Sequence, residues 1–300
     1  MSNEEKIIKY FTKNYNKIGD DCAYLSQTKQ LISSDTLVEN IHFDLKYFTP
    51  KNIAHRLFTA NYSDIQSSGG KPKYVLLNLS FPNKNFRFVN KIIKNFHRYC
   101  LKYGIEIIGG DTTASDKIFL SLTIISDAIN KNKIIKRSQA KINDKIYTFS
   151  GIGYSKLGFM NIYKNLKLPK DISALSKKQF LSPKIYTYYD LFKKIKLNSC
   201  MDVSDSLLST LRSISSQSNK KIVLNNLLNI NKKLHGYSKN DQYYNSLILS
   251  SGEEFVPVFS SPMDLLKFNN KESFKRRGIK ITCIGPVSYT HLTLPTTHDV

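Results

Sequence analysis

The stretch "TPKNIAHRLFTANYSDIQSSGG" (residues 49–70) carries the start and stop signals of one long helix. Thr49 can cap the first turn, and Pro50 suits the first helical position because an N–H is not needed there. Gly69-Gly70 supplies the stop. We therefore predict one helix across this stretch.

The apolar stripe of this helix contains a carboxylate. Ile53, Leu57, Asn61 and Asp64 recur at steps of about 3.6 residues, so they share one face. A carboxylate on the inward face is costly unless a partner compensates its charge. Asp64 is therefore the first candidate for a functional residue.

Strand and helix patterns alternate on both sides of this helix. The predicted elements are the strands KQLISSDTL and KYVLLNLSF, the helix NFRFVNKIIKNFHRYCLKYG, the strand IEIIGG followed by a turn at GGDTT, and the strand KIFLSLTIIS. This alternation predicts a layered α/β or α+β domain up to about residue 140.

A second unit is expected after a polar stretch near residue 143. Its predicted elements are IYTFSGIGYSKLGFMNI as strand, glycine turn and helix, MDVSDSLLSTLRSIS as a turn opening a helix, EEFVPVFSS and KITCIGPV as strands, and SPMDLLKFNN as a helix. We expect an N-terminal domain over residues 1–142 and a C-terminal α/β domain over residues 143–287. The tail SYTHLTLPTTHDV, residues 288–300, departs from the usage of the other residues and is expected to be non-native.

The composition indicates a globular protein with a strong basic bias. The 300 residues are 41% hydrophobic and carry a net charge of +22. The lysines are dispersed along the chain, which is typical of solvated faces rather than of a nucleic-acid site. Four widely spaced cysteines form no zinc or disulfide pattern, and no apolar run is long enough to span a bilayer. We expect a cytoplasmic protein without a membrane partner.

Five short segments place aspartates beside small or hydroxyl residues at the ends of apolar runs. They are IGDDCAYL, LISSDTL, NYSDIQSSGG, IIGGDTT and MDVSDSLLSTL. Helix capping explains Asp202 or Asp205 well, and Asp44 or Asp171 equally well, but it does not explain Asp64. If the segments converge, carboxylates about 4 Å apart repel by roughly 4 kcal/mol at an effective dielectric near 20. Hard divalent cations are the natural counter-charge, and Mg²⁺ prefers carboxylate, hydroxyl and water oxygens together with substrate phosphates.

No nucleotide-binding fingerprint is present. The pattern G-x-x-x-x-G-K-[ST] is absent, and GIGYSKLG does not fit G-x-G-x-x-G. A tight strand-to-helix turn explains GIGYSKLG at least as well as a phosphate loop. A kinase of this sequence would have to hold ATP through metal ions.

Nine motifs, in order, resemble those of the thiamine-monophosphate kinase family. They are IGDDCAYL, SSDTLVENIHF, NYSDIQSSGGKP, IIGGDTT, KRSQA, LSPKIY, MDVSDSL, LSSGEEF and ITCIG, between about residues 5 and 287. The resemblance implies a two-domain aminoimidazole ribonucleotide synthetase-like fold whose N-terminal domain pairs through its sheet in a homodimer. It also implies phosphorylation of thiamine monophosphate to thiamine diphosphate, with ATP as co-substrate and several Mg²⁺ ions.

The resemblance also implies three sets of site residues. The implied Mg²⁺ ligands are Asp21, Ser33, Ser34, Asp35, Asp64, Asp111, Asp202 and Asp205; the implied ATP contacts are Tyr103, Gly110, Asp111, Arg137 and Ser204; the implied substrate contacts are His42 and Glu253. No residue is expected to act as a general base. Without the resemblance, His42 fits a packed core histidine and Arg137 fits an exposed basic residue in a linker.

The chain departs from the family pattern at several positions. Ser206 stands where the family usually has glycine, Glu254 stands where it has aspartate, and Val256-Pro257 is atypical of that strand. A C-terminal aromatic that stacks on thiamine in the family is not found before the tail. We therefore expect weak binding of thiamine monophosphate, which a native C-terminus would strengthen.

Two rival functions remain open at this point. Another ATP-using enzyme of the same superfamily would share the aspartates. A basic RNA-binding protein would need clustered Lys and Arg with interleaved aromatics and would have no need of inward-facing carboxylates.

Overall fold

The computed structural model describes residues 3–15, 18–130 and 134–289. The expected non-native tail therefore lies outside the described residues from position 290 onward. Residues before the expected boundary near 143 and residues after it build two separate five-stranded sheets.

The first sheet is built from residues 23–128. In chain order the elements are helix α1 (Asn3–Thr12), strands β1 (Ala23–Leu25) and β2 (Gln30–Val38), helix α2 (Pro50–Ser67), strand β3 (Gly70–Phe81), helix α3 (Phe86–Tyr103), and strands β4 (Glu106–Ala114) and β5 (Phe119–Ala128). The strand order is β1-β2-β5-β3-β4, and β3–β4 is its parallel pair. Edge strand β4 is exposed along its whole length.

The second sheet is antiparallel and is covered by shorter helices. Its elements are β6 (Lys145–Phe149), α4 (Tyr154–Tyr163), α5 (Lys170–Leu181), α6 (Tyr189–Phe192), β7 (Ser199–Asp202), α7 (Leu207–Ser218), β8 (Lys221–Ile222), α8 (Lys232–Tyr237), α9 (Asp241–Leu249), β9 (Pro257–Ser261), α10 (Glu272–Lys275) and β10 (Ile281–Ser288). The strand order is β7-β9-β6-β10-β8. A cluster of buried apolar side chains lies against each sheet. The predicted mixed α/β architecture is thus confirmed.

Helix α2 begins where the sequence predicted. Thr49 accepts a hydrogen bond from the Asn52 backbone N–H, the Asn52 side chain accepts one from the Thr49 N–H, and Pro50 is the first helical residue. The helix packs on β2, β3 and β5 and also touches β7 of the second sheet. Because α2 contacts both sheets, its side chains can join residues from both halves of the chain.

Two predicted local structures are wrong. The expected turn at GGDTT is instead the second half of β4, with Gly110 paired to Leu77 and Asp111 to Asn78. A Cβ on Gly110 would lie 1.8 Å from the Leu77 carbonyl oxygen, so glycine permits the strands to approach. The helix expected at SPMDLLKFNN is only a 3₁₀ segment, Leu266–Asn270.

Candidate active site

Three aspartates from distant parts of the chain meet beside helix α2. A carboxylate oxygen from each of Asp21, Asp64 and Asp202 lies within 4.8 Å of the other two. Asp21 precedes β1, Asp64 lies on α2, and Asp202 ends β7. The cluster therefore draws on both sheets.

Serine hydroxyls hold these carboxylates in place. The hydrogen bonds run from Ser33 Oγ to Asp64 at 2.7 Å, from Ser63 Oγ to Asp202 at 2.6 Å and from Ser67 Oγ to Asp21 at 3.0 Å. Ser63 and Ser67 are one helical turn apart on α2, so one helix orients two of the three carboxylates. Hydroxyl donors suit ionised carboxylates, which only accept.

Burial and mutual repulsion make the ionised cluster costly. Burial raises the pKa of Asp64 well above its usual value, and the charges of Asp202, Asp35 and Asp21 add to the rise. Burial, with the neighbouring charge of Asp21, raises the pKa of Asp202 to about 8. The pKa of Asp21 is also raised by burial, although Arg137 partly offsets the effect. The cluster therefore favours cations that supply more positive charge than the chain provides.

Arg137 lies at this cluster and is not an exposed linker residue. It lies on a 3₁₀ turn, Arg137–Gln139, and its side chain is largely buried. Its guanidinium forms an ion pair with Asp21, and its backbone N–H donates to Asp20 Oδ1 at 2.9 Å. The alternative of an exposed basic residue is therefore wrong.

Asp35 and Asp205 lie near the cluster. Burial raises the pKa of Asp35, and the charges of Asp21 and Asp205 raise it further. Asn61, on the inward stripe of α2, accepts a hydrogen bond from the Asp35 backbone N–H at 3.2 Å. The capping interpretation of Asp202 and Asp205 is wrong, because the hydroxyl of Ser206 caps α7.

Ser34 and Asp111 are not brought to the cluster within one chain. Ser34 alternates with Ser33 on β2, so its hydroxyl faces the other side and lies 3.0 Å from Thr123 Oγ1. Asp111 is exposed on β4, three strands from β2, which corresponds to roughly 14 Å. Asp111 therefore lies at an exposed edge of the sheet, away from the cluster.

The other predicted ATP contacts occupy three different places. Gly110 lies on β4 next to Asp111. Tyr103 ends α3 and packs on Phe58 and Tyr62, with ring centroids 5.0 and 5.1 Å apart. Ser204 follows Asp202, and its carbonyl accepts a hydrogen bond from the backbone N–H of Glu253.

A pocket of about 420 Å³ contains both predicted substrate contacts, His42 and Glu253. Its other lining residues are Asn40, Ile41, Phe43, Asp44, Arg56, Phe159, Tyr163 and Phe180. The three rings from α4 and α5 pack on one another, with centroids 5.2 to 6.1 Å apart. With neutral histidine, the charges of Asp44, Glu253 and Arg56 leave this aromatic pocket net negative.

His42 is a half-buried pocket residue rather than a core residue. Its Nδ1 accepts a hydrogen bond from the Val38 backbone N–H at 3.0 Å, which leaves Nε2 as the protonated nitrogen of the neutral ring. Burial lowers the pKa of His42, although Glu253 partly offsets the effect. At neutral pH the ring therefore offers one N–H donor.

The loop that carries Glu253 is tightly constrained. Glu253 and Phe255 have φ values of 53° and 50°, which are uncommon for residues with a side chain. A Cβ on Gly252 would lie 1.9 Å from the Asp205 carbonyl oxygen. The loop thus packs directly against the segment after Asp202, which connects the pocket to the cluster.

Glu254 supports the same loop from inside. Its buried carboxylate accepts hydrogen bonds from the N–H groups of Gly153 and Ser155, at the start of α4, and from the Ser251 hydroxyl. Burial raises the pKa of Glu254 to about 7, although these donors lower it. Glu254, which stands where the family has aspartate, therefore has a structural role at the N-terminus of α4.

Sequence reasoning missed the pocket's arginine and its aromatic wall. Arg56 lies on α2, where a single basic residue carries no recognisable signal. Phe159, Tyr163 and Phe180 fit an ordinary core pattern. Among the described residues, no helix is long and apolar enough to cross a membrane.

Comparisons with known proteins agree on one family. A family model, AIR synthase related protein, N-terminal domain, matches residues 19–127. The chain is 34% identical to thiamine-monophosphate kinase of Buchnera aphidicola subsp. Schizaphis graminum, over 95% of this chain and 91% of that protein. It is 32% identical to thiamine-monophosphate kinase of Leptospira interrogans, over 83% and 80% of the two chains.

Solved structures share the fold. AaThiL complexed with AMPPCP and TMP superposes with a TM-score of 0.77 at 24% identity, over 98% of this chain and 94% of that one. At this level of identity the likeness concerns the fold alone.

Proposed function

This chain belongs to the thiamine-monophosphate kinase family, and from that premise we propose that it transfers the γ-phosphoryl group of ATP to thiamine monophosphate. The products are ADP and thiamine diphosphate. The observation that carries the proposal is the three-aspartate cluster, built from both sheets, beside a net-negative aromatic pocket.

The donor set of the cluster suits Mg²⁺. Carboxylates and hydroxyls are oxygen ligands, and their raised pKa values reflect a shortage of positive charge around them. Asp21, Asp64 and Asp202 would hold the ions, with Asp35 and Asp205 nearby. When bound, Mg²⁺ screens the charges of the phosphates that must approach each other.

Residues around the cluster orient the carboxylates that would hold the ions. Arg137 holds Asp21, and the serine hydroxyls hold the carboxylates, so the ligands are preorganised. We propose in-line attack by the substrate phosphate without a covalent phospho-enzyme. A general base is unnecessary because a phosphate monoester, with a second pKa of about 6, is largely ionised at neutral pH. Tyr103, Gly110, Asp111 and Ser204 remain proposed ATP contacts, and Ser33 and Ser34 remain proposed ligands.

The pocket suits the thiamine end of the substrate. Thiamine carries a positively charged thiazolium ring, which a net-negative pocket with aromatic walls would attract. His42 Nε2 is a hydrogen-bond donor, and Glu253 is an acceptor. The aromatic wall of Phe159, Tyr163 and Phe180 supplies stacking surface from within the described residues.

We also propose that a second copy of the chain covers β4. All nine residues of this edge strand are exposed, and Ile108 is 48% exposed. An open edge of this length is a template for pairing with another strand. Sedimentation should report a dimer for the wild type and a monomer for Ile108→Lys.

The domain boundary, location and partners form the remainder of the proposal. We propose an ATP- and Mg²⁺-binding, dimerising domain over residues 1–142 and a C-terminal domain over residues 143–287. The two sheets lie on either side of this boundary. A cytoplasmic location and no specific nucleic-acid partner are consistent with free cysteines and dispersed lysines.

A coupled assay of ADP release separates the candidate functions. Thiamine monophosphate should support turnover, whereas unphosphorylated thiamine and aminoimidazole precursors should not. Turnover with an aminoimidazole precursor alone would favour another enzyme of the superfamily. Tight, sequence-selective RNA binding at physiological salt would favour the nucleic-acid alternative.

A further inference from the structure

A buried arginine, Arg56, lies behind the pocket wall formed by His42 and Glu253. The Arg56 side chain is 2% exposed, whereas that of Glu253 is 34% exposed. The guanidinium packs against the rings of Phe48 and Phe180, 4.8 and 4.9 Å from their centroids, and these two rings also contact each other edge-on. The aromatic contacts and the near-complete burial of Arg56 restrict the position of its guanidinium.

The hydrogen bonds of Arg56 join three separate segments. Nη1 donates to the His42 carbonyl at 3.2 Å and to Glu253 Oε1, and Nη2 donates to the Phe180 carbonyl. His42 follows β2, Glu253 precedes β9, and Phe180 lies near the end of α5. One side chain on α2 therefore fixes three sides of the same pocket.

Among the three acceptors, Glu253 is the one whose side chain Arg56 orients directly. Its backbone has a positive φ, and its loop is anchored on one side by the buried carboxylate of Glu254. The ion pair with Arg56 anchors it on the other side. Since Arg56 engages Oε1 from the protein interior, the partly exposed carboxylate is presented to the pocket in one orientation.

We propose that Arg56 is a positioning residue for the thiamine end of the substrate, acting through Glu253 and His42. This inference rests on the proposed function. It assigns Arg56 an effect on the recognition of thiamine monophosphate and little effect on ATP, because its three acceptors all belong to the pocket.

Steady-state kinetics of Arg56→Met, Arg56→Lys, Glu253→Gln and the double variant Arg56→Met/Glu253→Gln test the assignment. We expect Arg56→Met to raise the KM for thiamine monophosphate about tenfold, the effect of losing one charge-assisted hydrogen bond. The KM for ATP should change less than about twofold. The double variant should be no worse than the worse single variant, because both changes remove the same interaction. Arg56→Lys should restore part of the loss, since an ammonium keeps the charge but not the fork of donors.

The matched control is Arg277→Met. Arg277 forms a bidentate pair with Asp190 at 2.8 Å, away from the pocket. It should leave both KM values unchanged. If Arg56→Met lowers the melting temperature but leaves both KM values unchanged, or raises both alike, the positioning role is overturned.

Failure of the inference about Arg56 can be distinguished from failure of the proposed function. If Arg56→Met does not fold, Glu253→Gln decides, because it leaves Arg56 in place; an unchanged KM for thiamine monophosphate would overturn the inference. A wild type that makes no product from thiamine monophosphate would overturn the proposed function itself and this inference with it. Wild-type turnover with unchanged variants would overturn the inference alone.

Discussion

The aspartate cluster lies beside the second half of helix α2, and the aromatic pocket lies beside its first half. The two regions differ in how far the chain neutralises the charge of their carboxylates. Asp64 and Arg56 are eight residues apart on this helix, roughly 12 Å along its axis. Among the described residues, the cluster sets three carboxylates against the guanidinium of Arg137, so its negative charge is only partly balanced by the chain. The pocket pairs Glu253 with Arg56, so its acceptor is arranged before any ligand arrives. Helix α2 thus carries an acidic cluster toward one end and a residue of the aromatic pocket toward the other.

The largest effect should come from the cluster. Asp64→Asn should lower kcat more than about 100-fold, because it removes one of the carboxylates proposed to hold Mg²⁺. The fold should persist, since the variant also removes repulsion between buried charges. Turnover and thermal melting measure the two expectations. The matched control, Asp116→Asn, changes an exposed aspartate and should keep full activity.

The next largest effect should come from the pocket and should concern the binding of thiamine monophosphate. His42→Ala removes the Nε2 donor and should raise the KM for thiamine monophosphate several-fold, with little change for ATP. Titration of both substrates measures the split. A change confined to ATP would remove the distinction between the two regions.

The pH dependence of stability tests the role of Glu254, whose buried carboxylate holds the loop that carries Glu253. The folded pKa of Glu254, about 7, lies above the ordinary glutamate value of 4.5, so the folded state holds a proton that the unfolded state has released between these values. The wild type should therefore lose stability relative to Glu254→Gln as pH rises, by roughly 2 kcal/mol between pH 5 and 8. Denaturant unfolding at both pH values measures the difference. Glu272→Gln, at an exposed glutamate, should show no such change.

The smallest effect should come from the start of α2. Thr49→Ala removes the cap and should cost about 1 kcal/mol in the free energy of unfolding. Both KM values should stay unchanged, because the cap lies before the two functional regions. Thr49→Ser keeps the hydroxyl and should remain close to the wild type in denaturant unfolding. A large activity loss in Thr49→Ala at full stability would show that the helix start serves the site directly.

Local signals allowed correct prediction of part of this arrangement. The cap at Thr49, the inward position of Asp64 and the architecture followed from patterns within a few residues. The turn predicted at GGDTT was wrong. Gly110 is needed because the Leu77 carbonyl of the neighbouring strand lies so close, and the sequence around Gly110 does not reveal that contact. Arg56 was missed for the same reason: Glu253 lies 197 positions away, so nothing near Arg56 reveals its partner.

Transfer of labelled phosphate shows whether Mg²⁺-dependent transfer from ATP to thiamine monophosphate occurs without a phospho-enzyme. Wild-type protein is mixed with ATP labelled at the γ-phosphoryl group and thiamine monophosphate, with Mg²⁺ or with excess chelator. We expect the label to appear in thiamine diphosphate only when Mg²⁺ is present, and none to remain on the protein. Equal transfer under chelation, or label bound covalently to the chain, would contradict this expectation.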